Sequence, residues 1–230
     1  MFVLVAYCNY SITTRKTKFI LCWFQQVLDI GSGCGATAIA SHFLGAKQVV
    51  ANDIDEVALH AIRLNYKLNI NVWSEPQALS TQDALVVNSN NQLCNKNRSF
   101  FLTSDDLLAS DSSVKSMRCT QLNSSDHVHG QNVFNMPIPF FDVVLFGDMF
   151  YDGEMIAVTC SWAQKFSQLS PRSRIFFSDP GRGFLAGHPI STCLKKMQSY
   201  DLPAEVTQEH YGCTKVDILE WSREACKQQN

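Results

Sequence analysis

At 230 residues, with 46% apolar and 17% charged side chains, the chain has the composition of a globular domain that buries most of its unfolded surface, and not of a disordered segment. Its net charge of −2 provides no basic face of the kind nucleic-acid binding needs, so no nucleic-acid partner is expected. Nine cysteines, an odd count without a CxxC pair, argue against a zinc site or a disulfide framework and for reduced thiols in an intracellular compartment.

The chain opens with two apolar runs, "MFVLVAYC" and "FILCWF", separated by a polar stretch from Asn9 to Lys18 with three cations. Neither run approaches the roughly 18 residues that cross a bilayer, so no membrane partner is expected. The charge follows the first apolar run instead of preceding it, which does not suit a signal peptide. Arg15, Lys16 and Lys18, with no acid before Asp29, weakly resemble an organelle transit segment.

From Val27 the pattern alternates. Val27 to Ile30 reads as a short strand, a glycine turn follows, and Ala36 to Phe43 reads as a helix ended by Gly45. Gln48 to Ala51 is a second strand, and Asp55 can cap a helix that runs to about Leu68. This β-α-β-α order predicts a parallel, doubly wound sheet. From Asn71 to Asn135 serine and asparagine dominate, as in "NSNNQLCNKNRS" and "QLNSSDHVHGQN"; only "SFFLT" (99–103) reads as a strand, between long loops. Order returns with the apolar strand Phe141 to Phe146, a helix from Glu154 to Leu169 and a strand from Arg174 to Ser178. Pro189 to Ser199 reads as a helix with proline in its first turn. The stretch "AEVTQEHYGCTKVDILEW" reads as two strands around a Tyr-Gly turn, an antiparallel hairpin on the sheet.

The chemistry gathers where strands end, since open α/β sheets bind ligands at their carboxyl edges. "VLDIGSGCG" puts Gly31, Gly33 and Gly35 between a strand and a helix, where backbone N–H groups approach a ligand closely. Asp29 stands two residues before the first glycine, where it would oppose a pyrophosphate and suit a cation. Asp53 ends the second strand, placed for the hydroxyls of a ribose. Together they suit a ligand with a cationic amino-acid end and a nucleoside end, such as S-adenosylmethionine. A dinucleotide such as NAD, or an empty glycine turn, are the competing readings. Farther on, "FDVVLFGDMFYD" delivers Asp148, Tyr151 and Asp152 to the same edge.

Beyond this, "VLDIGSGCGATAIA", "VVANDID" and "NYKLN" resemble the first motif, the second-strand acid and the following helix of seven-strand class I methyltransferases. "GDMFYD" with "DPGRGFLAGH" is more specific and closely resembles the electron transfer flavoprotein beta subunit lysine methyltransferases. The resemblance runs from about Val27 to Trp221, interrupted by the Asn/Ser-rich region. It implies a doubly wound, mostly parallel seven-stranded sheet with a C-terminal antiparallel hairpin. It divides the chain into an atypical segment 1–26, a methyltransferase domain 27–221 with a low-complexity region at about 74–135, and a tail 222–230. Residues 1–26 do not match the family's segment before the first motif, and the loop 109–135 is longer than the family would need.

Carried over by position, the resemblance has Asp29, Gly31, Gly33 and Gly35 hold the methionine part of S-adenosylmethionine, Asp53 the ribose, and Asp106, or else Asp105, the adenine. Asp148 and Tyr151 would border a substrate-lysine channel. The residues also allow Asp148 to be merely the N-cap of the next helix. Arg182 is either a substrate-side residue or a surface arginine paired to Asp179. His188 is read as structural, starting the next helix. No metal is implied. The implied protein is a monomer of the mitochondrial matrix, or else of the cytoplasm, acting on the electron transfer flavoprotein beta subunit. A ribosomal-protein methyltransferase and a non-catalytic binding protein of the same fold are the alternatives.

Overall fold

The computed structural model describes residues 26–74, 98–109, 116–122, 133–204, 207 and 212–227. The readings of the N-terminal runs, of most of the Asn/Ser-rich region and of the last three residues lie outside them.

Among the described residues, nine strands form one sheet: β1 (Gln26–Ile30), β2 (Gln48–Asn52), β3 (Ser99–Thr103), β4 (Ser116–Leu122), β5 (Val133–Pro137), β6 (Val143–Phe146), β7 (Arg174–Asp179), β8 (Leu194–Asp201) and β9 (Lys215–Trp221). Their order across the sheet is β5-β4-β3-β2-β1-β6-β7-β9-β8. The five central strands, β3-β2-β1-β6-β7, run parallel. Antiparallel strands complete both edges. The order reverses between β2-β1 and β1-β6, so the crevice that such a reversal opens lies over the end of β1.

Helices cover both faces, as the near-continuous apolar runs of the central strands require. On one face, Val27, Val49, Ala51, Phe100 and Leu145 pack against α1 (Ala36–Leu44) and α2 (Glu56–Ser74) through Ala38, Ile39, Leu59, Ile62 and Tyr66. On the other, Leu28, Val144, Phe146, Ile175 and Phe177 pack against α3 (Gly153–Leu169) through Ile156, Cys160, Trp162, Ala163 and Phe166. Phe146 stacks on Phe177 with ring centroids 4.9 Å apart and meets Trp162 edge-on at 5.5 Å. No helix among the described residues is long and apolar enough to cross a membrane.

Several expectations are corrected. Among the described residues the sheet has nine strands instead of seven, because β4 and β5 pair antiparallel inside the region read as loops. Their alternation is carried by weakly apolar residues: Met117, Cys119 and Met136 turn inward while Ser116, Arg118 and Asn135 turn outward. The second helix extends to Ser74 instead of ending near Leu68. Pro189–Ser199 is not a helix: one 3-10 turn, Pro189–Cys193, leads into β8. Thus β8 is the first arm of the C-terminal hairpin, which pairs Leu194 with Trp221 and Asp201 with Lys215. The hairpin itself was expected; its first arm lies about ten residues earlier than the sequence reading put it. Cys193 and Cys226 are joined as a disulfide, against the expectation of reduced thiols, while Cys119, Cys160 and Cys213 carry free thiols. That bond ties the start of β8 to the short helix α4 (Arg223–Lys227).

Candidate active site

The β1–α1 turn is built from its backbone outward. Gly31, Gly33 and Gly35 all have positive φ, at 67°, 56° and 80°. At Gly31 a side chain would also collide, since an added Cβ would lie 2.6 Å from the sulfur of Met149. The turn is pinned from three sides. The Ser32 amide donates to the Asn52 carbonyl at 2.9 Å, the Asn65 amide group to the Cys34 carbonyl at 2.9 Å, and the Gly33 amide to Asp53 Oδ2 at 2.8 Å. Asn52 and Asn65 were not singled out by sequence reasoning. A polar residue on the buried end of a strand or on the inner side of a helix was the available signal.

Asp29 lies under this turn with 2% of its surface exposed, and its Oδ2 has no hydrogen-bond partner among the described residues. Burial pushes its carboxyl up to about 7, while the Ser32 hydroxyl and the Ala38 backbone act against the shift. A buried carboxylate oxygen without a partner is costly unless a donor or cation meets it. Asp29 therefore fits an ammonium ligand.

Asp53 directly follows β2, beside the turn. Its Oδ1 accepts from the Asp55 amide at 3.0 Å, and each oxygen keeps a lone pair for a further donor. Asp55 Oδ1 accepts from the Val57 amide at 2.9 Å at the start of α2, as its capping role required. After β3 the two acids separate. Asp105 turns to the sheet, accepting from the Arg118 amide at 2.7 Å and pairing with its guanidinium at 3.5 Å. Asp106 is exposed, and its Oδ1 holds the Leu108 and Ala109 amides at 3.1 and 3.0 Å.

The "GDMFYD" segment follows β6, next to the end of β1. Phe150 is buried and stacks on Phe177 at 5.2 Å. That anchor leaves Met149 over Gly31, and Asp148 and Tyr151 at the rim. Tyr151 is 43% exposed, and burial, then Asp152, raises its hydroxyl pKa. The reading of Asp148 as helix cap is overturned: Asp152 is the N-cap of α3 and accepts from the Met155 amide at 2.7 Å. Asp148 instead pairs with Arg182. The Nε of Arg182 donates to both carboxylate oxygens at 3.0 Å, and Nη2 donates to Oδ2 at 2.5 Å. The side-chain pairing of Arg182 to Asp179 is likewise overturned, because the guanidinium is taken by Asp148, while Asp179 accepts from backbone amides, that of Gly181 at 2.9 Å and that of Arg182. His188 starts the 3-10 turn, its Nδ1 accepting from the Ile190 amide at 3.3 Å.

The structure thus brings Asp29, the three glycines and Asp53 into one cluster at the ends of β1 and β2, with Met149 linking it to Asp148 and Tyr151. Asp106 stands apart after β3. Among the described residues no group of histidines, cysteines and acids could hold a metal ion.

Residues 17–99 match the family model described as "Ribosomal protein L11 methyltransferase (PrmA)". Among solved structures, the magnesium protoporphyrin IX methyltransferase of Synechocystis PCC 6803 superposes with a TM-score of 0.46 at 14% identity, over 93% of this chain and 80% of that one. The electron transfer flavoprotein beta subunit lysine methyltransferase of Homo sapiens is 31% identical over 190 residues, 83% of this chain and 52% of that protein. Its Xenopus laevis counterpart is 29% identical over 199 residues, 86% of this chain and 58% of that protein. The chain spans about half the length of these curated relatives. Over the aligned residues, it is similar to the electron transfer flavoprotein beta subunit lysine methyltransferases.

Proposed function

We propose that the chain is an S-adenosylmethionine-dependent protein-lysine N-methyltransferase acting on the beta subunit of electron transfer flavoprotein, in the mitochondrial matrix. The observation that carries the reading is one contact: Met149 of the "GDMFYD" segment lies directly over Gly31 of the β1–α1 turn. A site for a cationic nucleoside ligand and an acid-aromatic rim are thereby joined at one edge of the sheet. The similarity to proteins of that name supports the substrate. The methyltransferase domain is taken as residues 27–221.

In this reading Asp29 faces the ammonium of the cofactor, its orphan Oδ2 gaining the partner it lacks. Gly31, Gly33 and Gly35 let the backbone close on the methionine part, Asp53 accepts from the ribose hydroxyls, and Asp106 takes the adenine side. When bound, the cofactor supplies a methyl group on a sulfonium, which the amine's lone pair captures as the C–S electron pair returns to sulfur. A free lysine, with a pKa of about 10.4, is almost fully protonated at neutral pH and must lose that proton first. Asp148 orients the nitrogen of the arriving lysine. Tyr151 offers a ring face to the cation and a hydroxyl for hydrogen bonding. Positioning supplies most of the acceleration.

The test mixes the protein with labelled S-adenosylmethionine and unmethylated electron transfer flavoprotein, and locates label by peptide mass spectrometry. Label on beta-subunit lysines, lost in Asp148→Asn with S-adenosylhomocysteine affinity kept, is the expected result. Label on a ribosomal protein alone would reassign the substrate. No binding of S-adenosylhomocysteine at millimolar concentration would leave a non-catalytic binding protein.

A further inference from the structure

The Asp148–Arg182 pair joins two loops 34 residues apart. It is a forked guanidinium–carboxylate contact, the geometry in which such pairs are strongest. Arg182 is set by its own turn: Asp179 holds the Gly181 amide, and Gly181 and Gly183 on either side have φ of 79° and 86°. Both partners stay about one quarter exposed, so the pair lines the rim and is not sealed in the core. The carboxylate assigned to orient the substrate lysine thus already carries a cation.

We infer that Arg182 is a positioning residue for the methyl acceptor: it neutralises Asp148 and places a fixed positive charge where the substrate ammonium arrives, so that the amine reaches the site in its neutral, nucleophilic form. The inference rests on the reading of this edge as a lysine methyltransferase site. Without Arg182, Asp148 would be a bare carboxylate just past β6, within electrostatic reach of Asp179 on β7, which lies in register with Asp217 on β9. Asp217 is held by Lys196 of β8 at 2.7 Å. Asp152 and Tyr151 stand on the α3 side. Such an acidic pocket binds lysine firmly in its protonated form, which cannot attack. With Arg182 in place a like charge lies beside the amine, and a like charge favours the neutral state. The proton leaves to solvent water, and no other group need change charge.

The test measures initial rates of methyl transfer to unmethylated electron transfer flavoprotein from about pH 6 to about pH 9.5, spanning the range over which a lysine with a lowered pKa would titrate. The wild type, Arg182→Gln and Arg182→Lys are compared, with S-adenosylhomocysteine affinity measured for each. For Arg182→Gln the rise of kcat with pH should move to higher pH by about one unit, with about a tenfold loss at neutral pH that is recovered in base. KM should not rise, because the freed carboxylate holds the ammonium at least as well. Arg182→Lys keeps the charge and should keep the wild-type profile. A pH-independent loss in Arg182→Gln would overturn the inference by making Arg182 a brace for Asp148. If Arg182→Gln does not fold, a profile shifted to higher pH in Arg182→Lys would overturn it as well. A wild-type chain that binds S-adenosylhomocysteine but transfers no methyl at any pH would overturn the substrate reading and this inference with it. An active wild type with an unmoved variant profile overturns the inference alone.

Discussion

Asp29→Asn probes the physics of the candidate site most directly. The carboxyl is buried and titrates at about 7 in the folded chain against 3.8 in the unfolded one. Its folded pKa is raised, so the unfolded state gives up this proton first as pH rises. Stability from this group is therefore complete below 3.8, falls as pH climbs from 3.8 to about 7, and is flat above that. From about pH 5 to about pH 8 the group crosses roughly two of those units, costing on the order of 3 kcal/mol. In a chain of this size that is about 6–12 °C in Tm. The asparagine variant carries no such charge and should lack this component. Comparing Tm of the two proteins at both pH values cancels their differences in packing and every other titrating group. The wild type should lose about 6–12 °C relative to the variant between acid and base. Cofactor binding should run the other way, since the ionised form is the one that meets an ammonium. Below about pH 7, S-adenosylhomocysteine affinity of the wild type should fall up to about tenfold per unit, and the variant should bind weakly throughout. Parallel pH dependence of Tm in the two proteins would refute the reasoning.

Two further substitutions separate structure from chemistry around the same edge. Asp152→Ala removes the N-cap of α3 and should cost about 1 kcal/mol in urea unfolding. Its methyl transfer should stay near wild type when assayed well below Tm, in contrast to Asp148→Asn four residues earlier. Gly31→Ala imposes a positive φ on a residue with a Cβ and drives that carbon into Met149. A stability loss of about 1–2 kcal/mol is expected, together with about tenfold weaker binding of S-adenosylhomocysteine by calorimetry, equivalent to about 1.4 kcal/mol. Unchanged affinity would show that the Met149–Gly31 contact has no bearing on the ligand site.

The sequence by itself determined the elements whose signals are local. The runs at Val27–Ile30 and Val143–Phe146 are buried on both sheet faces, so their positions are apolar with the single exception of Asp29, and the strands are legible without context. Gly31, Gly33, Gly35 and Gly45 mark turns because their backbone conformations are ones that few other residues adopt. Asp29 and Asp53 stand out because they are acids at the carboxyl ends of two such strands. Elements at the edges of the sheet were not legible. In β8, Lys195, Lys196 and Gln198 are exposed, and such charges suit an edge that must not recruit another chain. They also leave no apolar alternation to read, so Pro189 ahead of the strand suggests a helix where a 3-10 turn leads into β8. In β4 and β5 the inward residues are only Met117, Cys119 and Met136, too few to stand out from a serine-rich background.

The roles around Asp148 were decided by tertiary structure alone. Which of two aspartates caps α3 depends on where the helix begins, and a difference of four residues exchanges a cap for an ion pair. That ion pair exists because β6 and β7 lie side by side in parallel register, Val143 opposite Arg174 and Phe146 opposite Phe177. Their carboxyl ends consequently open at one edge, and residues 148 and 182 meet there. No local preference encodes that meeting. It follows from the hydrogen-bonded alignment of two strands separated by a helix.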